Sequence, residues 1–395
     1  MIKIKIKASA YKSIENRHPW LFTGAIYMEK QTPVNGEQVM IVDENGFFLC
    51  YGTFSLNSKI AVRIWSFNEK EPISYELIEK RISEALQKRK LNPLLVEGNS
   101  QRIIFSESDM LPGLIVDKID SWLVCQFSSA GTIYFKDDIL KALRQNIECD
   151  GIYERSDSDI MQKEGVETST GVLFGSEPPD FLTVEENGLK YKVDIKGGHK
   201  TGFYLDQRVN RLAVAKYTKG KTVLDCFSYS GGFALNSLRY GAAKVTCVDS
   251  SCDALEIFKN NILINDLDFS KVEIIEAKVG EQLRKFRDSR RFFDVIILDP
   301  PKFINDRKNL ENGMRAYKDI NLLAIKLLNK NGILATFSCS QSMQDYLFKQ
   351  MLAYAAKDSG RDVQIIETLL QSPDHPILTS FPESEYLKGV IAIVS

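Results

Sequence analysis

The chain has 395 residues, of which 44% are hydrophobic and 26% charged, and its formal net charge is −1. This length predicts two or three domains, because a single hydrophobic core rarely serves more than about 250–300 residues. No apolar run approaches the roughly 20 residues of a membrane span, and the basic N-terminus alternates where a signal peptide would be continuously apolar. We therefore expect a cytoplasmic protein without a membrane span.

The chain contains seven cysteines and only three histidines. No Cys-x-x-Cys pair occurs, so a disulfide framework and a zinc site are both poorly supported. Most free cysteines are small, buried apolar residues. We expect no bound metal, and a cysteine that carries chemistry has to be identified from its own position.

Residues 1–72 are predicted to form a small all-β module. Isoleucine and lysine alternate over residues 2–7, as in a half-buried strand, and DENG at 43–46 is a hairpin turn signal. Further strands are predicted at 38–42, 47–51 and 60–65. Residues 1–33 carry more basic than acidic side chains, which suits contact with RNA as well as an ordinary solvated surface.

Residues 73–185 are predicted to form a mixed α+β domain. Apolar residues at helical spacing indicate a helix over 74–89, and a second helical segment covers 133–145. Short hydrophobic runs predict strands at 103–105, 114–116, 122–126 and 152–155. The composition changes again near Pro178-Pro179.

Residues 186–395 are predicted to form an α/β domain around a parallel sheet, because strands and helices alternate from about residue 220. The predicted strands lie at 221–225, 244–248, 272–276, 295–298 and 333–337. The predicted helices lie at 233–240, 253–265 and 317–328.

The first strand-to-helix turn of this domain reads DCFSYSGGF over residues 225–233. Glycine there lets the backbone approach a ligand closely, but the Gly-x-Gly-x-x-Gly pattern of pyrophosphate-binding turns is absent. A nucleoside ligand without phosphates is therefore favoured. Asp249 closes the second strand, where a carboxylate can bind both hydroxyls of a ribose. The same residues also fit an ordinary turn followed by a helix-capping aspartate.

Two later strand ends carry a carboxylate and a thiol. Asp299 follows the hydrophobic run 295–298, and Cys339 comes just after the run 333–337. Ligands of open parallel sheets bind beyond the carboxyl ends of the strands, so both side chains are expected to face one crevice. This pair suits chemistry on a pyrimidine ring, in which the thiol adds to the ring and the acid holds a ring nitrogen. A buried core thiol is the alternative for Cys339.

Together these segments resemble the PUA-domain-containing family of 23S rRNA 5-methylcytosine methyltransferases, which are class I enzymes that use S-adenosylmethionine (SAM). The resemblance covers most of the chain. Besides the glycine turn, it rests on HPW at 18–20, Gly52 with IAVR at 60–63, LPGLIVD at 111–117, ERSD at 154–157, GHKTGFYLDQR at 198–208, DPPKF at 299–303, FSCS at 337–340 and DHP at 374–376.

The resemblance implies an N-terminal PUA RNA-binding β-barrel, a central α+β domain and a C-terminal Rossmann-like methyltransferase domain. It implies SAM as the cofactor and 23S rRNA or a large-subunit precursor as the partner, and family members suggest a homodimer. The SAM site that it implies consists of Lys200, Thr201, Phe203, Asp225, Phe227, Ser228, Ser230, Gly231, Asp249, Ser250, Lys278 and Asp299. The segment 199–203, which begins with His199, would cover the methionine end of the cofactor. The substrate-binding residues that it implies are Pro300, Lys302, Phe303, Arg208 and His375.

Lys278 departs from the pattern that the resemblance implies. It stands at the end of the third strand, where an acidic residue commonly accepts a hydrogen bond from the adenine amine. A lysine has donors only and cannot accept that bond. Either a backbone carbonyl or water serves the amine, or the affinity for the cofactor is reduced.

In the implied reaction, Cys339 is the nucleophile that adds to C6 of cytosine, and Asp299 holds the N3 and amine edge of the ring. The thiol needs activation by nearby positive charge or dipoles, for which Lys302 is a candidate. Enzymes with two cysteines place the second one after the proline of the Asp-Pro motif. Pro301 occupies that position here, so the chain resembles the single-cysteine branch. Phe303 is a candidate to stack on an extruded base.

Two other functions are open at this stage. An exocyclic-amine RNA methyltransferase could grip its target with an Asp-Pro-Pro-aromatic motif, although Lys302 separates the prolines from Phe303. A non-catalytic RNA-binding factor for ribosome assembly could retain the methyltransferase fold. Activity after removal of the Cys339 thiol would favour the first, and RNA binding without methyl transfer would favour the second.

Overall fold

The computed structural model describes residues 1–27, 32–95, 97–167, 169–198, 200–304 and 307–395. The chain divides into two compact units. Unit 1 consists of Met1–Val184, Val193–Leu205 and Pro373–Ser384, and unit 2 consists of Glu185–Lys192, Asp206–Ser372 and Glu385–Ser395. The domain boundaries 1–72, 73–185 and 186–395 stay a prediction.

Unit 1 begins with five strands and a short helix. They are β1 (Ile2–Lys5), α1 (Tyr11–Glu15), β2 (Trp20–Phe22), β3 (Gln38–Val42), β4 (Phe48–Phe54) and β5 (Ile60–Ser66). The strands form one sheet in the order β1-β3-β4-β5-β2, and an antiparallel bridge from Ile6 to Ile26 joins its two edges. Ile4 and Ile6 are buried whereas Lys3 and Lys5 are exposed, which confirms the strand predicted from the alternation.

Unit 1 continues with a second sheet and the helices that accompany it. They are α2 (Tyr75–Lys90), β6 (Gln101–Phe105), β7 (Leu114–Ile119), β8 (Trp122–Phe127), α3 (Ala130–Tyr134), α4 (Lys136–Asn146), β9 (Gly151–Arg155), α5 (Ser158–Glu164) and β10 (Thr170–Gly175). The sheet order is β10-β9-β8-β7-β6. The single helix predicted over 133–145 is two helices, because Phe135 leaves helical geometry with a ψ of 19°.

Strands β11 (Leu182–Glu186) and β12 (Leu189–Val193) form a two-stranded sheet. They are joined by Asn187 and Gly188, whose φ angles are 54° and 71°. Positive φ at both central residues is typical of the type I′ hairpin turn, which Asn-Gly favours. The sequence prediction overlooked this hairpin although its signal is present.

Unit 2 is built on a seven-stranded sheet. Its elements are α6 (Arg208–Ala215), β13 (Thr222–Cys226), α7 (Gly232–Arg239), β14 (Lys244–Asp249), α8 (Cys252–Ile264), β15 (Val272–Glu276), α9 (Val279–Asp288), β16 (Phe293–Leu298), α10 (Leu310–Leu327), β17 (Leu328–Ser338), α11 (Asp345–Ser359), β18 (Val363–Leu370) and β19 (Lys388–Val394). The order is β15-β14-β13-β16-β17-β19-β18; the first five strands are parallel, and β19 is antiparallel to both neighbours. The predicted α/β fold class is confirmed.

Helix α10 starts at Leu310, seven residues before the predicted start at 317. Gly313 obscures the helical pattern, because glycine is a poor helix former. The structure shows why glycine lies there: a Cβ atom on Gly313 would lie 2.2 Å from Cγ1 of Ile304. The close approach of Ile304 therefore fixes the segment that follows Phe303 against α10.

Short 3-10 helices occur at Ala8–Ala10, Thr23–Ala25, Pro93–Leu95, Ser106–Asp109, Leu205–Gln207, Phe269–Lys271, Arg307–Asn309 and Pro382–Ser384. Within the described ranges, no helix combines the length and the apolar character that a membrane crossing requires.

Candidate active site

The carboxyl ends of the parallel strands in unit 2 form one edge of the sheet, here called the carboxyl edge. β13, β14 and β16 end there at Cys226, Asp249 and Leu298, and Cys226 lies in register with both Val248 and Leu298. The strand order reverses between β13 and β16, since β14 and β15 extend one side of the sheet and β16 and β17 the other. Open α/β sheets bind their ligands at such a switch point.

The turn after β13 has a conformation that requires glycine at one position. Phe227 and Tyr229 have φ angles of 61° and 48°, and Gly231 has a φ of 85°. The Phe227 N–H donates to the Val248 carbonyl at 2.9 Å, which ties the turn to β14. A Cβ atom on Gly231 would lie 2.0 Å from Cδ2 of Phe258, a fully buried side chain. Glycine is therefore needed for α7 to begin directly at the carboxyl edge.

Asp249 is held in a fixed orientation at the end of β14. One carboxylate oxygen accepts a hydrogen bond from the Tyr229 N–H at 2.8 Å, and the other accepts from the Ser251 N–H at 2.9 Å. A carboxylate oxygen can accept more than one hydrogen bond, so both oxygens retain capacity for ligand hydroxyls. Ser250 follows at the same strand end and is exposed.

Asp225 is a buried carboxyl group at the carboxyl edge. Its Oδ2 accepts from the Ala234 N–H at 3.0 Å, and its Oδ1 has no hydrogen-bond partner among the described residues. Burial raises the pKa of Asp225 well above its ordinary value of 3.8, and the carboxylates of Asp299 and Asp249 raise it further. The three carboxyl groups repel one another electrostatically, which favours a ligand that brings hydroxyl groups and positive charge.

The Cys339 thiol lies against the Asp-Pro-Pro-Lys segment. Cys339 follows the end of β17 and is half-buried, and its thiol donates to the Pro300 carbonyl with Sγ 4.0 Å from the oxygen. Asp299 directly precedes Pro300 and is itself half-buried, whereas Lys302 is exposed. The structure thus brings the predicted thiol to the backbone that carries the predicted carboxylate.

Phe303 is part of an aromatic group that links the two motifs. Its ring centroid lies 6.3 Å from that of Phe227 in the glycine turn and 4.8 Å from that of Tyr317 on α10. The Tyr317 and Ser340 hydroxyls are 2.9 Å apart, and the Ile304 N–H donates to the Ser340 Oγ at 3.3 Å. These contacts hold the segments around Phe303 and Cys339 together.

Three residues predicted to bind the cofactor lie in unit 1. Thr201 is buried, and its hydroxyl donates to Asp117 Oδ2 at 2.6 Å. The Lys200 ammonium lies 4.4 Å from the centroid of the Tyr204 ring. Phe203 is 3% exposed. The contribution of these residues to cofactor binding stays a prediction.

His375 also lies in unit 1 and is 2% exposed. Its Nδ1 is 2.9 Å from Asp374 Oδ1, and its ring centroid is 5.3 Å from that of Phe105. His375 is thus a buried side chain of unit 1, and its role in substrate binding stays a prediction. His199, predicted as the first residue of the wall over the cofactor, lies outside the described residues.

Arg208 begins α6 in unit 2 and is buried. Its Nε donates to Glu186 Oε2 at 3.4 Å, and Arg211 makes two hydrogen bonds of 2.7 Å to the same carboxylate. Glu186 therefore has two guanidinium partners. The role of Arg208 in substrate binding stays a prediction.

Residues 140–382 match the model of the S-adenosylmethionine-dependent methyltransferase family, and residues 4–67 match the model of a PUA-like domain. The chain belongs to the S-adenosylmethionine-dependent methyltransferase family. The ribosomal RNA large subunit methyltransferase I of Tolumonas auensis is 45% identical over 381 residues, which cover 96% of each chain. The protein of the same name from Cronobacter sakazakii is 45% identical over 388 residues and 98% of each chain.

Among solved structures, SMU.776 complexed with SAH aligns with a TM-score of 0.86 over 100% of both chains, at 21% identity. This likeness concerns the fold. The methyltransferase family membership makes SAM the cofactor of this chain. The carboxyl edge suits SAM because the cofactor brings ribose hydroxyls and a positively charged sulfonium to a place with three carboxyl groups and an unsatisfied Asp225 oxygen.

Lys278 occupies the N-cap position of α9, and its side chain is 80% exposed. Its ammonium lies 4.0 Å from the Glu281 carboxylate on the first turn of the helix. Next to it, the Ala277 N–H donates to the Asp249 carbonyl at 2.8 Å. The lysine head is therefore paired on the protein surface, and a role in binding the methyltransferase cofactor stays a prediction.

Two side chains that the sequence does not single out contact or pair with the segment 338–340: Tyr317 and Lys388. The sequence places Tyr317 in a helix, and no local signal relates it to Ser340, which is 23 residues away. Lys388 was not singled out, although it begins a hydrophobic run over 389–394. A charged residue at the start of a hydrophobic run is the sequence signal that could have drawn attention to Lys388. That β19 lies next to β17, however, follows only from the sheet order.

Proposed function

We propose that this protein transfers a methyl group from SAM to C5 of a cytosine in 23S rRNA through a covalent adduct on Cys339. The full-length relatives named as large-subunit rRNA methyltransferases support the substrate class. The observation that carries the chemistry is the position of the Cys339 thiol, 4.0 Å from the Pro300 carbonyl and beside the Asp299 backbone.

The glycine turn and the end of β14 would hold the cofactor. Asp249 would accept hydrogen bonds from the ribose hydroxyls with the oxygens that Tyr229 and Ser251 already orient. Phe227, Ser228, Ser230 and Gly231 would line the same pocket. SAM, when bound, supplies an electrophilic methyl group on a positively charged sulfur.

The Cys339 thiolate would make the cytosine ring reactive. A lone pair of sulfur forms the S–C6 bond, and the displaced C5–C6 π pair gives C5 the character of a nucleophile. C5 then forms a bond to the methyl carbon while the bond from that carbon to the sulfonium sulfur breaks, and the electron pair of the broken bond stays on the sulfur, which becomes neutral. A base removes the C5 proton, the electrons of the C5–H bond restore the C5–C6 double bond, and the C6–S bond breaks to release the thiolate.

Asp299 would orient the ring by a hydrogen bond to its N3 and amine edge. Because Asp299 follows β16 and Cys339 follows β17, the two groups would meet the same base from adjacent strand ends. Lys302 is exposed beside them and would contact the RNA backbone. A base inside a duplex must leave the stack before the thiol can reach C6.

The PUA-like segment 4–67 would contribute RNA affinity. Lys3 and Lys5 project from the exposed side of β1, and Lys7 follows with its ammonium 5.7 Å from the Tyr27 ring centroid. Lysines that contact phosphates displace counterions, so binding through this face would weaken as salt concentration rises.

Methyl transfer by Cys339→Ala tests this proposal, with Cys252→Ala as the matched control. Cys252 is a free, exposed cysteine in the same unit. We expect Cys252→Ala to methylate 23S rRNA at the wild-type rate and the methylation rate of Cys339→Ala to fall by several orders of magnitude, since a covalent route is lost with its nucleophile. Wild-type activity in Cys339→Ala would favour methylation of an exocyclic amine, and RNA binding without any methyl transfer would favour a non-catalytic role in ribosome assembly.

A further inference from the structure

Lys388 is a buried lysine at the first position of β19. It is 5% exposed. In the antiparallel pairing of β17 with β19, Lys388 lies opposite Ser338, the residue that directly precedes Cys339. The sheet order therefore brings this lysine next to the strand end that carries the proposed nucleophile.

The Lys388 ammonium is oriented by backbone carbonyls. Its Nζ donates to the Glu385 carbonyl at 3.3 Å and to the Tyr386 carbonyl at 3.2 Å. An ammonium group has three donors. Within the described part of the chain, two of them are used by these carbonyls, which leaves one N–H for a further acceptor.

Three ionisable groups face this ammonium from the surrounding elements. They are Glu385 in the segment before β19, Asp345 at the start of α11 and Cys339 after β17. Burial lowers the pKa of Lys388, and negative charge on these three groups opposes that effect. Asp345 also pairs with the exposed Lys349 at 2.8 Å, so its charge is shared. Charge on the thiolate would thus favour the ammonium, and by reciprocity the ammonium would favour the thiolate.

Lys302 is the activating cation that the sequence suggests, because it follows the Asp-Pro-Pro segment against which the thiol lies. It is exposed, and water and salt screen a charge there. A buried ammonium acts through surroundings with a lower dielectric constant and therefore has a larger effect on the pKa of a neighbouring group. Lys388 is therefore the stronger candidate for thiol activation.

We propose that Lys388 is a positioning residue that holds a buried positive charge beside Cys339 and so increases the fraction of this cysteine present as thiolate. The catalytic purpose of Lys388 rests on the proposed function. Its effect on the thiolate fraction of Cys339, in contrast, is expected in the protein alone, without RNA or cofactor. An alternative role is purely structural: the lysine would only fasten the segment 385–388 through its two carbonyl contacts.

The test is the pH dependence of Cys339 alkylation by iodoacetamide, followed by peptide mass spectrometry. Peptide resolution is needed because Cys149 and Cys252 are also accessible. The variants are Lys388→Met, which keeps the apolar stem, and Lys388→Arg, which keeps the charge. Lys326→Met removes an exposed lysine from the same unit and is the control for a general change of charge.

In the wild type we expect half-maximal alkylation of Cys339 below pH 8.5, the ordinary value for a thiol. Lys388→Met should slow the reaction at pH 7 by about tenfold, since a loss of neighbouring opposite charge that raises the thiol pKa by about one unit lowers the thiolate fraction about tenfold. The rate at high pH should be unchanged. Lys388→Arg and Lys326→Met should keep the wild-type profile to within about twofold.

A wild-type midpoint at or above pH 8.5 would overturn the proposal, whether or not Lys388→Met folds. So would a Lys388→Met profile that coincides with that of the wild type in a protein with unchanged circular dichroism. Neither outcome bears on whether Cys339→Ala transfers methyl groups, and full activity of Cys339→Ala would end the proposed function while leaving the alkylation profile as it is.

Discussion

Replacement of Gly231 by alanine tests the geometry of the cofactor turn. Gly231 has a φ of 85°, which an L-residue adopts at a cost of about 1–2 kcal/mol. A Cβ atom there would lie 2.0 Å from Cδ2 and 2.3 Å from Cε2 of Phe258. Because Phe258 is fully buried, it can move only by disturbing the packing of α8, and overpacking of this kind costs about 1–3 kcal/mol.

We therefore expect Gly231→Ala to lower the free energy of unfolding of unit 2 by about 2–5 kcal/mol in total. At about 2–4 °C per kcal/mol for a unit of this size, the transition temperature should fall by roughly 4–20 °C. Gly360→Ala is the matched control, since Gly360 has a φ of 70° but no atom within 4 Å of an added Cβ. Gly360→Ala should lower the free energy of unfolding only by the cost of the left-handed backbone conformation, about 1–2 kcal/mol.

Differential scanning calorimetry and hydrogen exchange of the α7 peptide are suitable assays. Tryptophan fluorescence is not, because Trp20, Trp65 and Trp122 all lie in unit 1 and would report on that unit. Equal transition temperatures for Gly231→Ala and Gly360→Ala would refute the close contact between Gly231 and Phe258.

Three further predictions follow from the charges of unit 2. Asp225→Asn should gain stability relative to the wild type as pH rises above 3.8, because above that pH the unfolded wild-type chain releases the Asp225 proton while the folded chain, in which the pKa is raised, retains it. Urea unfolding at a series of pH values measures the difference in free energy of unfolding between the two proteins, and a difference that does not change with pH would contradict this reasoning. Asp249→Asn should weaken SAM binding by about 10–100-fold in calorimetric titration through lost hydrogen bonds to a charged group, and an unchanged Kd would remove Asp249 from the site. Arg291→Met should lower the free energy of unfolding by at most about 1 kcal/mol at pH 7, since the ion pair with Glu273 is partly exposed. The guanidinium lowers the Glu273 pKa from 4.5 to about 2, so this loss should shrink as pH falls through that range, and a loss that is constant with pH would exclude the ion pair as its source.

The strand ends that carry the candidate site residues agree with the sequence prediction. The end of β14 at Asp249 and the ends of β16 and β17 just before Asp299 and Cys339 could be recognised because hydrophobic runs end there at polar residues. The glycine turn was recognisable because two adjacent glycines follow a predicted strand. The positive φ of Gly231 explains why glycine stands there, since other residues rarely adopt that conformation.

The parts that depend on distant pairing were not predicted. β19 lies between β17 and β18 and is antiparallel to both, although it is the last strand in the chain. No periodicity within 388–394 specifies those neighbours, so the pairing of Lys388 with Ser338 could not be derived from the sequence. The hydrogen bond between the Tyr317 and Ser340 hydroxyls likewise depends on long-range packing, in this case of α10 against β17.

The most direct test of the proposed reaction is to identify the methylated nucleoside. Purified protein is incubated with deproteinised 23S rRNA and isotopically labelled SAM, and the digested RNA is analysed by mass spectrometry against 5-methylcytidine and N4-methylcytidine standards. We predict that the label is found in 5-methylcytidine with the wild type and with Cys252→Ala, and that it disappears with Cys339→Ala. Label in N4-methylcytidine, or 5-methylcytidine formed at the wild-type rate by Cys339→Ala, would contradict the covalent mechanism.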